Sequence, residues 1–228
     1  MAKFCSNCGR KLKEGEVCDC KKDESSLDLQ GGFNQVLELF KGMFTKPVDA
    51  MKAHFKAENL VISSIIIVVM GVISGLFAML FAKETIDSTL SLSYGMSGFS
   101  SFIEIPYFKI FIITTILVIG LYYLQALILY LVAGKMFKAK INYKESFNFL
   151  TALSVFSFLG ILISFIGVLI SPVVFIIIMA LVMMFTLTSF ALGIKEVFKL
   201  SDAKSVYSII LTNVILSVIL YLVILIFN

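Results

Sequence analysis

Four stretches of this 228-residue chain are too apolar and too long to belong to an ordinary soluble core. Leu60 to Ala82 is 23 residues without one Asp, Glu, Lys, Arg or His, Ile110 to Ala133 is 24 more, and Ser205 to Asn228 is another 24. At ~1.5 Å of rise per residue, roughly 20 apolar residues cross the hydrocarbon of a bilayer. The fourth stretch, Ser146 to Ile194, is 49 residues long. As one helix it would extend about 73 Å, more than twice the hydrocarbon thickness, so it must cross twice. The pivot falls in "IGVLISPV", where Gly167, Ser171 and Pro172 interrupt helical continuity. Spans of about 60–82, 108–133, 147–166, 173–194 and 206–227 follow, and the fold class is an all-α membrane protein with five transmembrane helices.

Charge agrees with that count. Residues 1–59 hold ten of the nineteen Lys/Arg and nine of the fifteen Asp/Glu, so the chain is a small polar head on a membrane domain, residues 59–228. The connection "GKMFKAKINYKE" carries Lys135, Lys138, Lys140 and Lys144, and "KEVFKLSDAK" carries Lys195, Lys199 and Lys204. Lys41, Lys46, Lys52 and Lys56 precede the first span. The 83–107 connection has Lys83 against Glu84, Asp87 and Glu104, and the 167–172 turn has no charge. Basic and non-basic connections alternate, and the positive-inside rule puts the N-terminus in the cytoplasm and Asn228 outside. The opening "MAKFCSNCGR" is charged and the first apolar run starts only at Leu60, which is not the pattern of a cleaved leader.

On the cytoplasmic side thiols stay reduced, which bears on "CSNCGRKLKEGEVCDC". Cys5-x2-Cys8 and Cys18-x-Cys20, nine residues apart, can place four thiolates tetrahedrally around Zn²⁺. Gly9 suits a tight knuckle, and Glu14-Gly15 suits a hairpin tip. A segment of some twenty residues with only Phe4, Leu12 and Val17 as apolar mass cannot fold on burial alone, and metal ligation supplies the missing free energy. The expected metal ligands are Cys5, Cys8, Cys18 and Cys20, holding structural zinc in a ribbon at residues 1–22; a redox-active dithiol is the alternative. Six Lys/Arg against three acids in that segment leave too little positive charge, once four thiolates and one Zn²⁺ are included, for a nucleic-acid footprint. Docking to a protein is the better reading.

Residues 23–32, "DESSLDLQGG", form a flexible linker. Residues 33–58 are two amphipathic juxtamembrane helices: Phe33, Val36, Leu37, Phe40, Met43 and Phe44 recur at helical spacing, and Pro47 opens a second helix bearing Val48, Met51 and Phe55. Two placements stand open, in the cytoplasmic headgroup layer or packed on the ends of the spans. His54 reads as interfacial packing. Inside the spans Gln125 and Asn213 are the costliest polar residues, expected to bond between helices. Gly71 and Gly75, and the stripe Gly160, Ser164, Gly167 and Ser171, would allow close helix contact and leave room for self-association.

Enzymology finds little purchase. The chain has one histidine, and no Ser/His/Asp set, HExxH or phosphate-binding glycine loop, so no catalytic residue is assigned.

"FCSNCGRKLKEGEVCDC" resembles the short N-terminal zinc ribbons of bacterial membrane proteins, with a tighter second pair than their usual CxxC-Gly. "KGMFTKPVDAM" before the first span and "YKESFNFLTALSVFSFLG" entering the third, together with the five-span plan, resemble the bacterial Yip (Ypt-interacting protein) domain family over roughly 36–227. That resemblance implies an integral membrane protein that organises or recruits. Eukaryotic members act in vesicle traffic with small GTPases, but their cytoplasmic Asp-Leu-x-Gly-Pro-type motif is absent here, so a GTPase partner is not carried over. The expected function is a non-enzymatic scaffold in the bacterial plasma membrane that presents the ribbon to a cytoplasmic or membrane protein. The rival is a transporter or permease component using Gln125, Asn213 and the glycine-rich third span.

Overall fold

A computed structural model describes residues 3–4, 11–12, 29–94 and 106–227. They divide into two units, residues 1–35 and 36–228. In the first, strand β1 (Lys3–Phe4) pairs antiparallel with β2 (Lys11–Leu12), in the register Lys3 with Leu12 and Phe4 with Lys11. Helix α1 (Leu29–Thr45) begins in this unit and continues into the second.

The regular elements described in the second unit are all helices: α2 (Pro47–His54), α3 (Leu60–Tyr94), α4 (Tyr107–Leu129), α5 (Tyr143–Ile170), α6 (Pro172–Val197) and α7 (Asp202–Phe227). The helices α3 to α7 are the ones long and apolar enough to cross a membrane among the described residues. Helices are the expected solution, because hydrocarbon offers no partner for an unpaired backbone group.

Their ends follow local chemistry. Asn142 and Glu145 form a reciprocal capping box at the start of α5, with Glu145 N donating to Asn142 Oδ1 at 3.0 Å and Asn142 N donating to Glu145 Oε2 at 2.8 Å. The pivot is tighter than the sequence suggested. Ser171 alone separates α5 from α6: its N–H closes on Gly167 O at 2.9 Å, and its Oγ accepts from Val173 N at 3.2 Å. Gly167 stays helical, and its bare Cα lets the backbone of Phe175 approach to 3.3 Å of where a Cβ would stand. Helix α4 widens into a π-helical turn over Tyr130–Met136. After it Lys138, and after α6 Lys199, adopt left-handed backbone (φ 62° and 54°), positions where glycine is the usual residue. Lysine costs backbone strain there but leaves a cation beside the negative end of the helix dipole.

Helix α5 is the central post. Two-thirds of its span window is buried, against 28% or less for each of the other four. Its first half, through Phe147, Phe149, Leu150, Ala152, Leu153, Val155 and Phe156, supplies much of the core. Missing side chains bring its neighbours close. On α3, a Cβ at Gly75 would lie 2.7 Å from the carbonyl oxygen of Phe111 on α4, and one at Gly71 would lie 2.7 Å from Ile119. On α5, Gly160 receives Val182 of α6.

Gly75→Ala is therefore expected to destabilise the protein by about 1–3 kcal/mol, because its methyl meets fixed backbone. Gly120→Ala, with nothing within 4 Å, should be neutral or stabilising. Thermal unfolding of the two variants in detergent checks the contrast.

Candidate functional site

The expected ligands Cys5, Cys8, Cys18 and Cys20 lie outside the described residues. What is described is the short β1–β2 ladder, which brings the residues preceding Cys5 beside those following Arg10. Among the described residues no three His, Cys, Asp or Glu side chains gather as a metal site. Four cysteine thiolates are a donor set whose chemistry suits structural zinc.

The most elaborated polar site in the second unit lies where α2 crosses the bundle. Pro47 occupies the first turn of α2, where its missing N–H costs nothing, and Gly42 lets Ala50 close the bend from α1. Met51 is fully buried, and on α6 the bare Cα of Gly193 faces both the Met51 sulfur and the ring of Phe149. A Cβ there would stand 2.6 Å from the Phe149 ring and 2.9 Å from the Met51 sulfur. Around this seat Phe149 meets Phe198 (centroids 4.8 Å apart) and Phe190 (5.9 Å), and Phe198 meets Phe55 (5.5 Å). Lys52 reaches Glu196 at 3.1 Å, but both side chains are nearly half exposed, so the pair adds less than about 1 kcal/mol. Burial holds α2 down. The open question of placement is thereby settled for α2: it packs on α5 and α6.

Polar contacts line the other flank. His54 is buried, and its Nε2 lies 2.9 Å from the Oγ of Ser63, which is fully buried on α3. The carbonyl of His54 accepts from Asn59 Nδ2 at 3.1 Å, and that of Lys56 accepts from Asn148 Nδ2. These bonds satisfy carbonyls left free where α2 ends and the chain turns into α3. Asn148 is fully buried, and its Oδ1 has no hydrogen-bond partner among the described residues. Tyr123 of α4 donates to Ser64 Oγ at 3.2 Å and stacks on Phe147 at 4.5 Å, so α3, α4 and α5 meet at this corner.

Burial pushes the His54 imidazole down from its ordinary 6.5 to about 4. The expected packing role for His54 fits this environment. Nothing in the residue pattern points to its Ser63 partner nine residues away, nor to Asn148, 92 residues from the carbonyl it caps. An amide in "SFNFL", among residues otherwise suited to a core, was the available signal for Asn148.

The two costly polar residues of the spans do not come together. Asn213 donates to Ile209 O of its own helix at 2.9 Å, which corrects the expected interhelical bond. A bond to the carbonyl one turn back is always within reach and asks nothing of a neighbour. Gln125 is half-buried, and its side chain makes no hydrogen bond among the described residues. Thr186 and Thr188 likewise bond back one turn.

Five apolar crossing helices, with a short helix strapped over one end by burial, define a multi-pass membrane protein without an evident reaction centre among the described residues. Residues 41–225 match the Yip1 domain, most of the chain, and the protein belongs to the Yip1 domain family. No curated protein matches it. No solved structure matches it.

The low His54 value has a definite pH consequence. Between pH 6.5 and about 4 the released segment takes up a proton that the docked one does not, so stability rises with pH across that window. Hydrogen exchange in α2, corrected for intrinsic rate, should show steady protection above pH 6.5 and a loss of up to about 3 kcal/mol on acidification toward pH 4. His54→Gln should flatten that dependence; an unchanged acid-sensitive profile in the variant would assign it elsewhere.

Proposed function

We propose that this chain is a non-enzymatic membrane scaffold or recruitment factor of the bacterial plasma membrane, with a zinc ribbon at residues 1–22 held on the cytoplasmic side. Membership in the Yip1 domain family supports a membrane role without assigned chemistry. The observation that carries the scaffold reading is the filled contact between the third and fourth spans. Gly160 receives Val182, Gly167 receives Phe175 and Ile178, and Ser164 donates to the Met179 sulfur at 3.0 Å. Small residues that could have lined a solute path instead serve close packing.

The lysine-bearing connections favour a cytoplasmic N-terminus and an extracytoplasmic C-terminus. In that compartment Cys5, Cys8, Cys18 and Cys20 would hold Zn²⁺, which supplies folding free energy and no reaction. The folded ribbon then offers a small rigid surface to a protein partner.

Affinity capture from native membranes tests this reading. The full chain should retain a specific interactor that is lost on deleting residues 1–22 and is not recovered by Cys8→Ser. Purified protein should carry one zinc per chain, and Cys8→Ser should carry none. Metal-free protein with reversibly oxidised Cys18 and Cys20 would replace the ribbon with a redox device. Solute flux in liposomes abolished by Gln125→Leu would replace the scaffold with a transporter.

A further inference from the structure

Helix α1 has a broader apolar surface than the bundle covers. From Val36 to Thr45 its apolar positions span an arc of about 160° around the helix. One side of that arc is seated: Leu39 is 5% and Met43 1% exposed, both within the main apolar cluster, with Val36 and Phe40 packed beside them. The other side is open. Leu37 and Phe44, seven residues apart and so on one face, are 51% and 58% exposed. Glu38, Lys41 and Thr45 occupy the remaining, polar arc.

The level at which α1 sits decides what covers the open side. The ring of Phe40 meets Phe158 edge-on at 5.6 Å, and that of Phe44 meets Phe156 edge-on at 5.7 Å. Phe156 lies thirteen residues into α5 from Tyr143, about 20 Å along its axis. Helix α5 has 28 residues, about 42 Å, against a hydrocarbon layer of ~30 Å, an excess of about 12 Å. Even if all that excess projected beyond the Tyr143 end, Phe156 would stand about 8 Å inside the hydrocarbon. Tilting α5 shortens its projected length and places Phe156 deeper still. The neighbours agree: Phe156 also meets Phe185 at 6.1 Å, and Phe185 lies on the outward face of a membrane span, 64% exposed. Phe44 of α1 and Phe185 of α6 thus flank the same buried ring, Phe156, at one level of the bundle.

We infer that the Val36–Thr45 part of α1 is embedded in a single leaflet, the one bordered by the Lys135–Lys144 and Lys195–Lys204 connections, with Leu37 and Phe44 in contact with its acyl chains. Lys41 adjoins the strip and can carry its charge up to the lipid phosphates along its own apolar stem, and Lys46 follows just beyond the helix. One face of α1 holds the bundle, one holds lipid, and the polar arc of Glu38 and Thr45 faces the headgroups.

The chain has no tryptophan, so a single introduced indole reports its site without background. Leu37→Trp, Phe44→Trp and Glu38→Trp, each in the full chain, are reconstituted in phosphatidylcholine/phosphatidylglycerol vesicles with and without acyl-chain-brominated phosphatidylcholine. The expected result is quenching several-fold stronger at positions 37 and 44 than at 38, with the reverse order for aqueous acrylamide. Equal bromine quenching at 37 and 38, or ready acrylamide access at 37 and 44, would overturn the inference. So would blue-shifted emission at 37 and 44 that neither quencher reaches, which would mean that protein covers the strip. Two independent reporter positions guard against a local disturbance at either one.

Discussion

The arrangement of the second unit depends on one helix being buried where its neighbours are not. Helix α5 carries the sequence "YKESFNFLTALSVF", which is less uniformly apolar than the other spans, yet it has the largest buried share. That combination is coherent. In a bilayer, apolar side chains gain nothing by leaving lipid for protein, so the helix placed at the centre is the one with small and hydroxyl-bearing residues to pack and satisfy. Ser146, Thr151 and Ser154 are buried and bond to carbonyls of the same segment, which meets much of their polar demand locally. Glycines on α3, α5 and α6 then admit neighbouring side chains at distances that any Cβ would forbid.

From that post the rest follows outward. Phe149 on α5 and Gly193 on α6 make the seat for Met51, and the seat fixes α2. Once α2 is fixed, His54 has no route to water, and its lowered proton affinity is a consequence of position. The chain turn from α2 into α3 is held by amides of Asn59 and Asn148 that occupy its free carbonyls. Lys52 with Glu196, and Lys195 with Asp202 at 2.7 Å, add exposed ion pairs around the same rim. Their contribution is small beside that of the buried aromatic cluster.

Much of the membrane domain was legible because hydrocarbon imposes a simple rule of length and apolarity. The five crossings, the hinge at Ser171–Pro172 and the close contacts at Gly71, Gly75, Gly160 and Gly167 could all be read from the chain. Helix α3 was misjudged at its far end: it continues to Tyr94, through residues expected to form a loop, because outside the hydrocarbon a helix no longer needs apolar side chains. The seat of α2 could not be read, since an amphipathic stripe looks the same facing lipid or protein, and Met51, Phe149 and Gly193 are far apart in sequence. Hydrogen bonds across 59 or 92 residues leave no periodic trace either. The cysteine cluster was legible as chemistry alone, from residue type and spacing, and lies outside the described residues.

Docking of α2 on the end of α6 sits at the centre of this arrangement. It is tested most directly by cross-linking Lys52→Cys to Glu196→Cys with a short bifunctional thiol reagent in native membranes, the four natural cysteines replaced by serine. Efficient linkage within one chain is predicted, because the native side chains meet at 3.1 Å although 144 residues separate them. Failure to link, under conditions in which each cysteine alone reacts readily, would contradict it.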